Sequence, residues 1–360
     1  MTTDRCVKDL FQGPALRVDL DRCLTPALQG WFPRTKDLRT DHGGDPADPS
    51  TPRPGESDSR MEEPSYLRVA QRWGPAEAST LPNPARSSED TATLRLGSVR
   101  AWVEPEVERV TLLGDGGARG VVALTERRGF LAATPDRLPP SDAAVTDLYW
   151  MMGIATALLL GRTDRAVVHA GAIVAPDGGA WLVVGDAHAG KSTTCAAAIE
   201  GGWSFLSDDQ VVLRQAAARG VSGDVVAEGW QRSFHLDEGW NLGRPLGRRI
   251  RVDPGTLGPG RQQALASIAG ILLPVVNPDA ATVLRPMGQA DALVALLRQS
   301  PWPLADPGAG PRALELLRLA STTGPVFRVR LGLDGFQDRR RILTRLNELT
   351  QAGAVQAGAG

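Results

Sequence analysis

Lysine is nearly missing from this chain. Lys8, Lys36 and Lys191 are its only lysines among 40 basic residues, so arginine serves almost wherever a positive charge is needed. Lys191 is thereby marked as a place that wants a compact ammonium on a flexible stem, which a planar guanidinium does not replace. Cysteine is equally scarce. Cys6, Cys23 and Cys195 are an odd number without paired spacing, which excludes a disulfide framework and a zinc site and predicts a reducing compartment. Charge of one sign is lacking as well: the formal net charge is -1, so no field gathers nucleic acid. Long apolar runs are also lacking. The longest, Tyr149 to Leu160, falls short of the about 20 residues that a bilayer span needs and reads as a buried helix. MTTDRCVKDL lacks the apolar core of a signal peptide. The expectation is a cytoplasmic protein with neither nucleic acid nor membrane as a partner, and homo-oligomer formation is left open.

What is present divides along the chain. Residues 1–32 carry some apolar pattern and read as a short N-terminal segment. Residues 33–64 are rich in Pro, Gly, Asp and Ser, cannot bury enough surface to offset their ordering entropy, and are expected to form a disordered linker or loop. Residues 65–162 read as a small β-rich region plus a helix. Strand-like runs at 93–96, 99–103, 110–113, 120–124 and 129–133 are separated by turn residues such as GDGGARG, and Ser141-Asp142 can cap a helix from Ala143 to Gly161. Residues 163–350 alternate between strand and helix. Ala166 to Val174 reads as a single strand, Pro176-Asp177-Gly178-Gly179 as a hairpin turn, and Trp181 to Val184 as a strand running into a glycine-rich loop. Residues 351–360 are too rich in Gly and Ala to hold themselves in place.

That loop is GDAHAGKS. Gly185, Gly190, Lys191 and Ser192 fit the phosphate-loop pattern, with Asp186, Ala187, His188 and Ala189 between them and Thr193 following. The pattern turns backbone N–H groups inward around an anion and presents a helix N-terminus to it. Lys191 reaches the phosphate oxygens and Ser192 ligates Mg²⁺. SFLSDDQVVL then places Asp208 and Asp209 one strand–helix–strand step later. A nucleotide site needs a carboxylate there for Mg²⁺, and a second one beside it can accept a proton from an attacking hydroxyl.

The stretch HAGAIVAPDGGAWLVVGDAHAGKSTTCAAAIEGGWSFLSDDQVVL, His169 to Leu213, resembles the catalytic core of HPr kinase/phosphorylase and its relatives, a core similar to that of phosphoenolpyruvate carboxykinase. The closer resemblance is to divergent members found with peptide-modifying biosynthetic genes, which share phrases like RSFHL (Arg232 to Leu236) and LLPVV…LRPM (Leu272 to Met287). The resemblance implies an α/β fold: a P-loop core of this type with a smaller β-rich N-terminal region. It implies Lys191 as the phosphate-binding lysine, Ser192 and Asp208 as Mg²⁺ partners, Asp209 as general base, and His169 as the hairpin histidine of the active site. Arg232 could stabilise phosphoryl charge. The chain departs from the family in its DAHA loop interior, in Thr193 where glutamate is common, and in lacking an IRGLG-type segment, for whose glutamate Glu228 is a weak stand-in.

The function these residues imply is Mg²⁺- and ATP-dependent transfer of the γ-phosphoryl group to a hydroxyl, most readily a Ser or Thr of a peptide or small protein. Two other readings stay open at this level: a small-molecule kinase on the same core, and a non-catalytic nucleotide-dependent switch.

Overall fold

Alternating apolar residues build a first sheet. The computed structural model describes residues 5–10, 16–21, 65–72, 94–134, 141–216, 225–230, 234–237, 249–301 and 306–357, so the 33–64 stretch lies outside it. The first eight strands are β1 (Arg5–Leu10), β2 (Leu16–Asp21), β3 (Ser65–Arg72), β4 (Leu94–Leu96), β5 (Val99–Glu104), β6 (Arg109–Gly114), β7 (Arg119–Ala123) and β8 (Arg128–Thr134). They lie in the order β1-β2-β3-β8-β7-β6-β5-β4. β4 to β8 form an antiparallel meander. β3 pairs in parallel with both β2 and β8. The segments 1–32 and 65–162, divided by composition, thus share one sheet. A parallel register such as Val18↔Leu67 needs a long crossover connection.

Helix α1 (Asp142–Gly161) follows. Ser141 caps it, its hydroxyl accepting the Ala144 N–H at 3.2 Å. By length and composition α1 could cross a membrane, yet most of it is buried inside the protein. Its Leu148, Met151, Ile154 and Leu158 pack against Leu67, Val122 and Leu131 of the first sheet, and the same apolar cluster continues to Val167, Val212 and Trp230 of the second. The Arg162 guanidinium adds a two-pronged clamp on the Asp306 carboxylate, at 2.7 and 2.8 Å. Packing therefore runs unbroken through residues 162–163.

The second sheet holds β9 (Arg165–Val168), β10 (Ala170–Val174), β11 (Ala180–Val184), β12 (Ser204–Ser207), β13 (Val211–Gln215), β14 (Val225–Gly229), β17 (Leu265–Val276), β18 (Val283–Met287) and β19 (Val326–Leu331), while β15 (Phe234–Asp237) and β16 (Arg249–Val252) pair apart from it. Its other helices are α2 (Lys191–Glu200), α3 (Pro254–Leu257), α4 (Gln289–Arg298), α5 (Gly310–Thr322), α6 (Leu333–Gln337) and α7 (Arg340–Ala357). Every residue of β10 and β11 is buried, as expected of strands covered on both faces. Ala172, Leu182 and Val184 meet α4 and α5 on one side. Ile173, Trp181 and Val183 meet α2 and α7 on the other, where Phe205 and Phe234 pack edge to face at 5.0 Å, an arrangement worth about 0.5–1.5 kcal/mol beyond burial. The result is a mixed α/β fold in which the second sheet is a three-layer sandwich.

Two expectations change. The run Ala166 to Val174 is two strands, split at His169. The closing helix runs to Ala357 rather than fraying at 350, because extending an anchored helix through Ala and Gln is far easier than nucleating one.

Candidate functional site

The site begins with the break at His169. β9 pairs with β13 and β10 with β12, and the flanking pairs Val168↔Val211 and Ala172↔Ser207 keep one register. Both members of this ribbon are interrupted at the same level, so His169 faces the turn that holds Asp208, Asp209 and Gln210. The turn is fixed from below. The Ser207 hydroxyl lies against the Gln210 carbonyl and, at 2.9 Å, the Trp230 carbonyl, and accepts the Trp230 N–H at 3.2 Å. Gly171 permits the close approach: a Cβ there would sit 2.7 Å from the Cys195 sulfur and 3.3 Å from the Asp208 carbonyl.

β11 delivers the glycine-rich loop to the same edge, since Val184 lies opposite Ala170. Residues 185–190 form the loop and α2 starts at Lys191. Gly190 takes φ 101° at the N-cap, a left-handed conformation that glycine adopts at little cost. His188 is also left-handed, at φ 64°, and exposed. Asp186 and Ala187 are exposed, whereas Gly185, Ala189, Gly190, Ser192 and Thr193 are partly covered. The Thr194 hydroxyl donates to the Gly190 carbonyl at 2.9 Å and steadies the first turn.

Lys191 is only 8 % exposed. Its ammonium donates to the Gly185 carbonyl at 2.8 Å and to the Asp186 carbonyl at 3.1 Å. Burial holds its pKa below the ordinary lysine value, against the opposing pull of the Asp209 and Asp208 charges. Asp208 is 4 % exposed. Asp209 is more open: its carboxylate and the His169 ring, each 42 % exposed, meet at 3.1 Å through His169 Nε2. The Cys195 thiol is buried beneath them, and burial together with Asp208 pushes its pKa well above the usual value, leaving it an unreactive filler.

The structure brings Lys191, Asp208, Asp209 and His169 to one sheet edge, at the carboxyl ends of β11 and β12, where open α/β sheets bind ligands. Arg232 lies outside the described residues. Glu228 is not part of this group. It is buried between Arg165 and Arg214, both of which donate to its carboxylate, so its oxygens are engaged by guanidiniums and the stand-in role falls. Sequence reading missed Gln299. Its backbone carbonyl accepts the His169 N–H at 2.9 Å, its Oε1 lies 2.9 Å from His169 Nδ1, and its Nε2 donates to Asp186 at 2.9 Å. The only local signal was a polar RQS at the end of an amphipathic helix. Two small apolar cavities, one beside Leu158 and Asp306 and one beside Leu94 and Ile154, contain none of these residues.

A divalent ion fits the donor chemistry here. A hydroxyl (Ser192) and a carboxylate (Asp208) are hard oxygen donors suited to Mg²⁺, which takes one or two protein ligands and completes its shell with water and phosphate oxygens. Among the described residues no group of three or more His, Cys, Asp or Glu forms a self-sufficient cage, so ion and phosphate would have to be held together.

No family model matches the sequence, and no curated protein matches it. Among solved structures the chain is similar to the HPr(Ser) kinase/phosphatase from Coxiella burnetii, with 14 % identity and a TM-score of 0.29 over 52 % of this chain and 98 % of that one. Such a likeness marks a remote structural neighbour. It assigns no residue roles.

Proposed function

We propose that this chain is a P-loop kinase that transfers the γ-phosphoryl group of ATP to a hydroxyl, the acceptor being a Ser or Thr of a peptide or small protein. The observation that carries the reading is the meeting of a strand–loop–helix bearing Lys191 with the Asp208-Asp209 turn. A buried ammonium sits at a helix N-terminus, close enough to feel both aspartates. The loop amides and the first-turn N–H groups of α2, which have no partner inside the helix, would cradle the phosphates. Lys191 would leave the Gly185 and Asp186 carbonyls and turn to the phosphate oxygens. Ser192 and Asp208 would hold Mg²⁺, which when bound neutralises the charge developing on the transferred group.

Asp209 is the half-exposed member of the pair and so the one an acceptor can reach. It would take the hydroxyl proton, and His169, in contact with it, would orient the carboxylate. The burial of Asp208 closes it to an acceptor, which supports assigning it to the ion and Asp209 to the proton.

The test is phosphate transfer from labelled ATP to a panel of hydroxyl-bearing peptides and metabolites, comparing wild type with Asp209→Asn. Label in peptides and a fall of on the order of a hundredfold or more in the variant are expected. Label confined to metabolites would move the acceptor to a small molecule. ATP and Mg²⁺ binding with neither transfer nor hydrolysis would overturn the kinase reading, and equal rates in the variant would remove Asp209 as the base.

A further inference from the structure

Gln299, just past the end of α4, touches both halves of the site. Its neighbours anchor it. The Ser300 hydroxyl, 2 % exposed with its residue, donates to the Val167 carbonyl at 2.7 Å. On the other side Arg298 pairs with Asp186 at 3.3 Å. This RQS segment therefore reaches from β9, just before the strand break, to the interior of the glycine-rich loop.

The side chain of Gln299 can point only one way. An amide nitrogen only donates, an amide oxygen only accepts, and an ionised carboxylate only accepts. The 2.9 Å contact with the Asp186 carboxylate must therefore use the amide nitrogen. That leaves Oε1 facing His169 Nδ1, also at 2.9 Å, and the ring nitrogen must be the donor. Reversing the amide would set two acceptors against each other at Asp186. With Nδ1 committed to Gln299, Nε2 is the nitrogen that meets the Asp209 carboxylate, and because that carboxylate too only accepts, the contact requires a hydrogen on Nε2 as well. The hydrogen on Nδ1 is fixed by the bond to Gln299, and that bond is traceable back to Asp186.

We propose that Gln299 is a positioning residue: it fixes a proton on His169 Nδ1, aims Nε2 at Asp209, and ties that pair to the glycine-rich loop through Asp186. Asp186 is thereby held by Arg298 and Gln299, an acidic side chain turned toward α4. Only the kinetic arm of the test rests on the kinase reading.

The ring nitrogens can be read directly in the full-length protein labelled with ¹⁵N at histidine, by long-range ¹H–¹⁵N correlation. There are only four histidines, and His169→Gln identifies the signal of interest. The expected wild-type result is a protonated Nδ1 on His169. In Gln299→Leu the His169 signals move and those of His188 stay. Gln299→Glu keeps an acceptor for Nδ1–H but opposes Asp186, so it retains the Nδ1 proton while separating the loop from the pair. With transfer activity in hand, Gln299→Leu lowers kcat by about tenfold, in the range seen when the orienting partner of a functional histidine is lost, with KM for ATP within about twofold. Gln299→Glu recovers part of that loss. A wild-type His169 protonated on Nε2 alone, or a Gln299→Leu spectrum identical to wild type, overturns the proposal. The wild-type and Gln299→Glu spectra decide it even if the leucine variant does not fold. A protonated Nδ1 in a protein without transfer activity would leave this inference standing and the kinase reading refuted.

Discussion

The two sheets treat polar groups in opposite ways. In the first, the buried acids are spent on holding elements together: Asp147 on α1 accepts from the Ser98 hydroxyl at 2.6 Å and the Gly116 N–H at 2.7 Å, stitching two hairpin turns to the helix, and Asp19 on β2 accepts from the Tyr66 hydroxyl on β3 at 2.8 Å. In the second, one edge gathers a lysine, three aspartates and a histidine within reach of one another, and a strand is broken to make room for them. In the first sheet these polar groups are closed off inside the packing and serve only to fix turns and strands to one another. A site needs groups from distant parts of the chain, half in contact with solvent, and gives up strand continuity to bring them together.

The largest effect should come from the lysine that this contrast singles out. Lys191→Met is expected to lower transfer on the order of a thousandfold, as loss of a preorganised charge does, while the thermal unfolding midpoint shows a stability change below about 1.5 kcal/mol. Equal damage to folding and activity would mean that Lys191 belongs to the frame. Glu228→Ala is next. Leaving Arg165 and Arg214 without their buried counter-charge should cost about 3 kcal/mol in denaturant unfolding. The Mg²⁺ dependence of any activity should not change, and a raised Mg²⁺ requirement would restore the metal role denied to Glu228. Leu148→Ala, in the shared core of α1, should cost a further comparable amount, about 2–4 kcal/mol, with nucleotide affinity measured by titration calorimetry unaltered. The smallest effect is a matter of pH. Burial, opposed by the Ser98, Gly116 and Ala118 bonds, raises the Asp147 pKa above the ordinary aspartate value. The folded state then holds its proton longer than the unfolded chain. This group's stabilisation is complete below about pH 3.9, the unfolded value, and is lost as pH rises through the raised one. Urea melts between pH 3.5 and 6.5 should show wild type losing ground to Asp147→Asn as pH rises; the opposite trend would show that its hydrogen bonds outweigh burial.

Much of the meander was legible because its turns announce themselves. GDGGARG falls between β6 and β7, and the expected runs at 99–103 and 129–133 sit within β5 and β8. The pairing of β2 with β3 was not legible, since no local signal names a parallel partner more than forty residues away. The break at His169 was hidden for a different reason. Apolar alternation continues straight through it, and what splits the strand is a change of partner from β13 to β12, a tertiary fact. β18 entered the sequence reading only through the phrase LRPM; its Pro286 is tolerated at the sheet margin, where, among the described residues, β18 pairs with β19 alone. At the site, Lys191, Asp208 and Asp209 could be named from spacing. Gln299 could not, because a glutamine after a helix acquires meaning only from the His169 and Asp186 that folding sets on either side of it.

Helix α1 bears on how this protein can be taken apart. Its apolar surface is shared between both sheets, so no cut between 134 and 165 yields two self-contained modules. Whichever fragment keeps the helix carries an uncovered greasy flank, and whichever loses it is left with an open seam along Val167, Val212 and Trp230. The eight strands before it are for this reason less an appendage than part of one packed body with the second sheet. A truncation meant to isolate the glycine-rich loop and its aspartates should be planned to keep them attached.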